Sequence, residues 1–505
     1  MALSTIYTRA NVGIQAPQVT VEVHLSNGIP SFQLVGLPET TVKESRDRVR
    51  SAIINSGFEF PSKRITVNLA PADLPKGGGR FDLAIAVGIL TASEQIPVNN
   101  LDEFEFVGEL ALSGELRSIQ GALPMAVAAM KIHRSLILPV ENAEQAALVK
   151  EASVLCADSL WSVYLHLSAK QKLPLAEVPE LLQQRPLLPD IADVKEQQVA
   201  KRALILAAAG GHNLLLYGPP GTGKSMLASR LIGLLPDLDD KDALTVASIN
   251  SVVGNEVSVS NWRRRPFRQP HHSSSATAIV GGGSYPVPGE ITLAHKGVLF
   301  LDELPEFGRH VLDVLREPLE TGQIHLSRAK HKVSYPADFQ LVAAMNPSPT
   351  GDINDGRCNA DQTLRYLNRL SGPLLDRIDL QVHVPRIDIL KSVINKQELP
   401  SITTEKAKIV INHAVEMQMQ RQSKLNAQLG PKEVEIHCQL DSQCTQFIQL
   451  AMDKLRLSMR SYHRILKVAR TIADIANKPN IEQAHLAEAI SYRSFDRMLD
   501  QLTNS

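Results

Sequence analysis

Gly218-Pro-Pro-Gly-Thr-Gly-Lys-Ser225 decides the fold, because it meets the G-x-x-x-x-G-K-S pattern of a phosphate-binding loop. Gly218, Gly221 and Gly223 let backbone amides approach a polyphosphate with no Cβ in the way, and Pro219, Pro220 and Thr222 complete the loop. Asn213-Leu-Leu-Leu-Tyr217 before it reads as a short buried strand, and Ser225 to Ile232 after it as a helix. Lys224 is expected to reach the β- and γ-phosphates as a point charge and Ser225 to hold Mg²⁺. The helix N-terminus adds N–H donors.

Working outward, Val298-Leu-Phe-Leu-Asp-Glu303 is an apolar run ending in two carboxylates, the form of a central parallel strand whose C-terminal end meets the ligand crevice. Asp302 is expected in the Mg²⁺ shell, and Glu303 is placed to orient and deprotonate an attacking water. The next buried strand, Gln340 to Asn346, ends in an amide at the same sheet edge, which makes Asn346 the candidate sensor of the γ-phosphate. An amphipathic helix from Asp193 to Ala209 is stopped by Gly210-Gly211. Strands and helices then alternate to about Pro385, the pattern of a doubly wound parallel sheet. Beyond it, Ile387 to Ser505 shows helical periodicity alone.

The chain has 505 residues, too many for one core, since a domain usually takes ~100–200 residues. Lys+Arg and Asp+Glu both number 53, so a polyanion has to be held by local basic clusters. The four cysteines, Cys156, Cys358, Cys438 and Cys444, follow no disulfide framework. No run reaches membrane-spanning length and the first residues carry no secretion signal, so the cytoplasm is the expected compartment and no membrane partner is expected. Before residue 170, strands such as Val19–His24 and Ile65–Leu69 frame helical patterns at 42–55 and 81–91, an α+β domain. A proline-punctuated stretch at 171–190 reads as a linker. The expected organisation is therefore 1–170, the linker, an α/β core at 191–385, and a helical lid at 386–505.

Two basic stretches stand out. Asn261-Trp-Arg-Arg-Arg-Pro-Phe-Arg268 supplies Arg263, Arg264, Arg265 and Arg268 beside two aromatics. Gly322 to Tyr335 alternates as a hairpin with its turn near 327–330 and carries Arg328, Lys330 and Lys332 with no acid to neutralise them. These seven residues are the expected contacts to DNA. His271-His272 and the His437, Cys438, Cys444 group read as structural, because adjacent side chains on an extended segment point apart and the cysteine spacing is poor for zinc.

In order, these elements resemble the AAA+ ATPases, P-loop NTPases with an α/β core and an all-helical lid. Gln269-Pro-His-His-Ser273, Leu315-Arg-Glu-Pro-Leu-Glu320, Ser371-Gly-Pro-Leu-Leu-Asp-Arg-Ile-Asp379 and Ser461-Tyr-His-Arg-Ile-Leu466 resemble the magnesium-chelatase-like branch. Leu74–Leu83 and Val107–Leu116 resemble a Lon-protease-like domain; its presence ahead of the motor is similar to the ComM/YifB family. In the Lon-type family a Ser-Lys dyad cuts peptides, but here Gly79-Arg80-Phe81 and Gly121-Ala-Leu-Pro124 stand at the matching places, so the domain is expected to be non-proteolytic. Ser113 and Lys76 are the substitutes one would consider, and both read better as turn residues. The resemblance implies that Arg377 reaches a neighbouring subunit's γ-phosphate and that Arg460 is the lid sensor; arginine suits both, being permanently charged and able to bind phosphate oxygens in a bidentate way. It also places the basic hairpin in the pore of a ring. The whole reading is an ATP- and Mg²⁺-dependent homo-oligomeric ring, expected to be hexameric, that moves along single-stranded or branched DNA. If it acts as that family does, the work is branch migration in natural transformation. The alternatives are a chelatase motor for a metal-inserting partner, an ATP-dependent protease, and a scaffold that binds nucleotide without turnover.

Overall fold

The computed structural model describes residues 3–36, 44–177, 188–257, 259–283, 286–327, 332–352, 357–386, 402–455 and 457–504. Backbone contacts divide the chain into two units: Met1–Pro186 with Asp239–Arg263 and Ala329–Val333, and Leu187–Leu238 with Arg264–Arg328 and Ser334–Ser505.

In the first unit, β1 (Leu3–Arg9), β2 (Gln18–Ser26), β3 (Ser31–Val35) and β4 (Arg64–Ala70) form a sheet ordered β1-β2-β4-β3. All its pairings are antiparallel except β3 with β4. Alternation decides which face is buried: Val19, Val21, Val23 and Leu25 all point into the core. Helix α1 (Ser45–Asn55) and the wholly buried helix α2 (Asp82–Ala92) complete this layer. α2 comes so close to β2 that a Cβ at Gly88 would lie 2.6 Å from a methyl of Val23. A second, parallel sheet holds β5 (Phe104–Phe106), β8 (Ser135–Pro139) and β9 (Val154–Ala157). Between its first two strands, β6 (Glu109–Leu110) and β7 (Leu116–Arg117) make the expected hairpin in shortened form. Helix α3 (Ala122–Met130) lies between β7 and β8, and helix α4 (Leu160–Leu167) follows β9.

Two boundaries differ from the sequence reading. Leu173 is buried and Leu175 bridges Leu155, so residues 171–177 belong to the first unit and not to a linker; residues 178–187 lie outside the described residues. The helix Asp240–Val253, expected within the ATPase core, belongs to the first unit instead. It packs on α3, where the Gly121 N–H donates to the Ser251 carbonyl at 2.8 Å and the Ser251 hydroxyl to Gln145 Oε1 at 2.9 Å. Its buried alanines, Ala243 and Ala247, are what a close helix pair needs, and helical periodicity does not say which neighbour they face.

The second unit is built on five parallel strands: β10 (Leu214–Tyr217), β11 (Phe267–Arg268), β12 (Val298–Leu301), β15 (Gln340–Met345) and β16 (Leu380–His383). Their order in the sheet is β11-β12-β15-β10-β16. Between the third and fourth, β13 (Gln323–Ser327) pairs with β14 (Lys332–Pro336) as the expected basic hairpin. Helix α5 (Gln198–Gly210) precedes β10 and α6 (Lys224–Leu234) follows the phosphate loop. The C-terminal residues are helical, led by α7 (Thr404–Gln422) and α8 (Met459–Ile475). They do not form a separate lid core: Ala407, Ile411, Leu466 and Ile472 join one hydrophobic cluster with Leu204, Leu214 and Phe300. Among the described residues, no helix is long and apolar enough to cross a membrane.

One buried charge ties α7 to α8. Asp474 has a fully buried side chain and accepts both Arg421 Nη atoms at 2.7 and 2.8 Å, Arg470 Nε at 3.0 Å and the Asn426 amide at 2.9 Å. Removing a buried carboxylate that holds two arginines leaves their charge uncompensated. Asp474→Ala is therefore expected to lose ~3–5 kcal/mol of stability in denaturant titration, and Asp474→Asn less.

Candidate nucleotide site

Register brings the chemistry together. Tyr217 pairs with Met345 in β15 and with His383 in β16, while Leu301 pairs with Ala343, so β10, β12 and β15 end at one edge with their following residues side by side. Gly218 turns there because its amide donates to the Met345 carbonyl at 3.2 Å and a Cβ would meet the Val384 carbonyl oxygen at 2.2 Å. Gly221 and Gly223 sit at φ +77° and +86° with open space where a Cβ would project, a cradle suited to phosphate oxygens. Thr222 braces the loop through a 3.0 Å bond to the Pro219 carbonyl.

Lys224 is buried, with its ammonium donating to the carbonyls of Gly218 at 2.9 Å and Pro219 at 2.8 Å and to Asn346 Oδ1 at 3.1 Å. Burial lowers its pKa, and Asp302 and Glu303 oppose that shift. The expected sensor thus touches the expected phosphate ligand directly. The Ser225 hydroxyl donates to Asp302 Oδ2 at 2.6 Å. A hydroxyl beside a carboxylate fits Mg²⁺, which takes one or two protein ligands at such sites and completes its shell with phosphate and water. Among the described residues no group of three or more His, Cys, Asp or Glu could hold a metal, so a cage made wholly by protein is not the alternative here.

Glu303 is set apart by its backbone. Its φ is +54°, a left-handed conformation that costs a non-glycine residue energy and recurs at functional sites. Its amide closes on Asp302 Oδ1 at 3.0 Å, and its own carboxylate is 3.2 Å from His272 Nδ1. What changes is the premise that the two histidine side chains point apart. The segment turns after Pro270, so the rings of His271 and His272 do not point apart but lie with centroids 4.1 Å apart, and His271 Nδ1 is 2.7 Å from the Ser273 hydroxyl. The Gln269-Pro-His-His-Ser273 motif was the signal; what it touches was not readable.

Arg377 follows a short helix, Gly372–Leu375, before β16. Its guanidinium donates to the Pro373 carbonyl and pairs with Glu320, and its Nε is buried without a partner. Burial lowers its pKa, as do Arg316, Arg464 and Arg460 nearby. Arg460 is exposed and pairs with Asp376 at 3.2 Å. Behind them Asp379, buried, accepts Arg464 at 2.7 Å and lies 3.2 Å from His212; despite its burial, these partners hold its carboxyl well below the usual range. Neither Glu320 nor the His212–Asp379–Arg464 chain was foreseen, because ion partners distant in sequence leave no periodic mark.

The arginines of the basic stretch at 261–268 are engaged within the chain. Arg263 pairs with Asp240 at 2.7 Å, Arg265 donates to the carbonyls of Pro236 at 2.6 Å and Lys296 at 2.8 Å, and Arg268 forms a bidentate pair with Glu290 at 2.6 and 2.7 Å. Arginines spent on carbonyls and carboxylates hold the fold and are poor free ligands for a DNA backbone; Arg264 is part-buried beside them. In the hairpin Lys332 is exposed, whereas Arg328 and Lys330 lie outside the described residues. In the first unit, Lys76 and Ser113 form no dyad. Lys76 is buried with its ammonium on the carbonyls of Gly36, Pro71 and Leu74, and Ser113 bonds Glu115 at 3.2 Å.

Three family models cover most of the chain: "Magnesium chelatase, subunit ChlI" at residues 190–391, "Subunit ChlI of Mg-chelatase" at 21–142, and "Magnesium chelatase, subunit ChlI C-terminal" at 401–493. The chain is 54% identical to competence protein ComM of Haemophilus influenzae over 100% of both chains. It is 54% identical to YifB of Escherichia coli over 99% of both. The magnesium-chelatase 38 kDa subunit of Rhodobacter capsulatus is 29% identical over 34% of this chain and 53% of its own.

Two substitutions test the site. Lys224→Ala is expected to abolish binding of a fluorescent ATP analogue. Glu303→Gln is expected to keep that binding and lower turnover by at least ~100-fold, because the carboxylate acts on water and not on the phosphate grip. Wild-type turnover in Glu303→Gln would remove it from the chemistry.

Proposed function

The chain belongs to the magnesium-chelatase-like AAA+ ATPases, in the branch that includes ComM and YifB, and from that premise we propose that it is a ring-forming, Mg²⁺-dependent ATPase that drives branch migration of DNA during natural transformation. The observation that carries the ATPase reading is the meeting of Lys224, Ser225, Asp302, Glu303 and Asn346 at one sheet edge. Lys224 would exchange its carbonyl partners for β- and γ-phosphate oxygens, and Ser225 and Asp302 would hold the metal. When bound, Mg²⁺ neutralises charge that develops across those oxygens. Glu303 orients the attacking water and takes its proton, while Asn346 reports the γ-phosphate to Lys224.

Arg377 completes the site of the next protomer in a hexameric ring. Its support is the buried Nε without a partner and the arginine cluster around it, an arrangement that favours an incoming anion. Arg460 serves its own lid. DNA handling falls to the basic hairpin, Lys332 with Arg328 and Lys330, since the 261–268 arginines are occupied. The involvement of competence is carried over from the name of the full-length relative, competence protein ComM, and that of DNA rests on the basic hairpin and the family resemblance.

The first unit reads as a Lon-like domain without peptidase activity. A side chain at Gly79 would meet the Glu109 carboxylate at 2.4 Å, and one at Gly121 would meet the Asn11 amide at 2.1 Å, so neither position accepts a nucleophile or base without rearrangement.

ATPase rates measured with no DNA, single strands, duplex and four-way junctions test the motor reading, with strongest stimulation expected from junctions. A rate indifferent to all DNA would favour a chelatase-type motor. Arg377→Ala and Lys224→Ala subunits, each inactive alone, are expected to recover ATPase activity when mixed, because a mixed ring contains intact interfaces. Lys332→Ala should reduce the logarithmic salt slope of DNA binding by ~0.7–0.9 with no change in sequence preference.

A further inference from the structure

Helix α4 buries Leu160 and Val163 in the core of the first unit, which leaves Trp161 and Tyr164, three residues apart, together on its outer side. The Trp161 ring lies 5.0 Å from Tyr164 and 5.6 Å from Phe58, and Phe58 meets Tyr164 edge-on at 5.1 Å. Three rings in mutual contact form a rigid cluster, yet 46% of Trp161 remains exposed. Cations flank both ends. Lys170 stands 4.8 Å over the Tyr164 ring and donates to its hydroxyl at 2.8 Å; at the other end the Arg50 guanidinium lies 5.4 Å over Phe60, two residues beyond Phe58. Lys172 is exposed nearby, and Glu59 is the acidic residue between the two phenylalanines.

We propose that this surface of the first unit is a stacking platform for single-stranded nucleic acid, with Trp161 as the base-stacking residue and Lys170, Lys172 and Arg50 as phosphate contacts. A half-exposed indole braced by two other rings offers a fixed π-face to any base, and base–aromatic stacking tolerates every sequence. Flanking cations match a polyanion running past the rings, a charge complementarity that favours nucleic acid as the occupant. The ligand class rests on the DNA reading above, but Trp161, Lys170, Lys172 and Arg50 are not residues of the motor hairpin, so the two can fail separately.

The chain has two tryptophans, and Trp262 is buried at 6% exposure, which makes Trp161 the reporter of its own occupancy. The full chain, without nucleotide, is titrated with oligo-dT and with an abasic oligomer of equal length, following both tryptophan emission and oligomer anisotropy. Oligo-dT is expected to quench emission and the abasic strand is not; Trp161→Phe should remove most of the quench. Trp161→Ala should weaken oligo-dT binding about tenfold, with Trp262 emission showing that the chain is folded, and the Lys170→Ala, Lys172→Ala double variant should lower the salt slope by ~1.4. Binding seen by anisotropy with unchanged emission, or wild-type affinity in Trp161→Ala, overturns the platform and leaves the motor reading intact. A blue shift that grows with protein concentration and needs no oligomer overturns it in favour of a second copy of this chain. No binding by either readout overturns the platform, while the motor reading is tested by the ATPase rates above.

Discussion

The parallel pairing of β10 with β15 is the constraint on which the nucleotide site depends. Leu214 to Tyr217 run in register with Val342 to Met345, fully buried, so the loop after one strand and the residue after the other arrive at the same height. A slip of one residue would turn every side chain over and separate Lys224 from Asn346. β12, paired on the far side of β15, brings Asp302 to the same edge. The placement of these residues is thus fixed by hydrogen-bonded strands. This is the switch point of a doubly wound sheet, where strand order reverses and a crevice opens.

Inside that crevice, polar groups already satisfy one another. Lys224 rests on two carbonyls and an amide, Ser225 on Asp302, and Glu303 on His272. Each partner is one that a phosphate oxygen, a metal or a water can replace without leaving a buried donor stranded. Arg377 is held in the same way, its guanidinium on the Pro373 carbonyl and Glu320.

The nucleotide site was the most legible part of the chain. A glycine loop between a strand and a helix, and two apolar runs ending in Asp302-Glu303 and Asn346, are short local patterns whose meaning does not depend on distant residues. What stayed hidden was pairwise and distant. The turn that stacks His271 on His272 and delivers one ring to Glu303 follows from backbone geometry at Pro270, which the motif marks but does not describe. The arginines at 263–268 looked free because their partners, Asp240, the Pro236 and Lys296 carbonyls and Glu290, are identified by contact and not by spacing. The lid boundary was overdrawn for a related reason: helical periodicity places an apolar face but not the core it joins, and here it joins the ATPase core.

The helix Asp240–Val253 belongs by its packing to the first unit while lying in sequence between the phosphate-loop helix and β11. This bears on descent. A module that owns an internal stretch of its neighbour's gene is not separated cleanly by a single join at residue 186, because the cut would strip α3 of its partner and strand that helix in the second unit. A cut that leaves both parts whole would have to carry the Asp240–Val253 helix with the first unit.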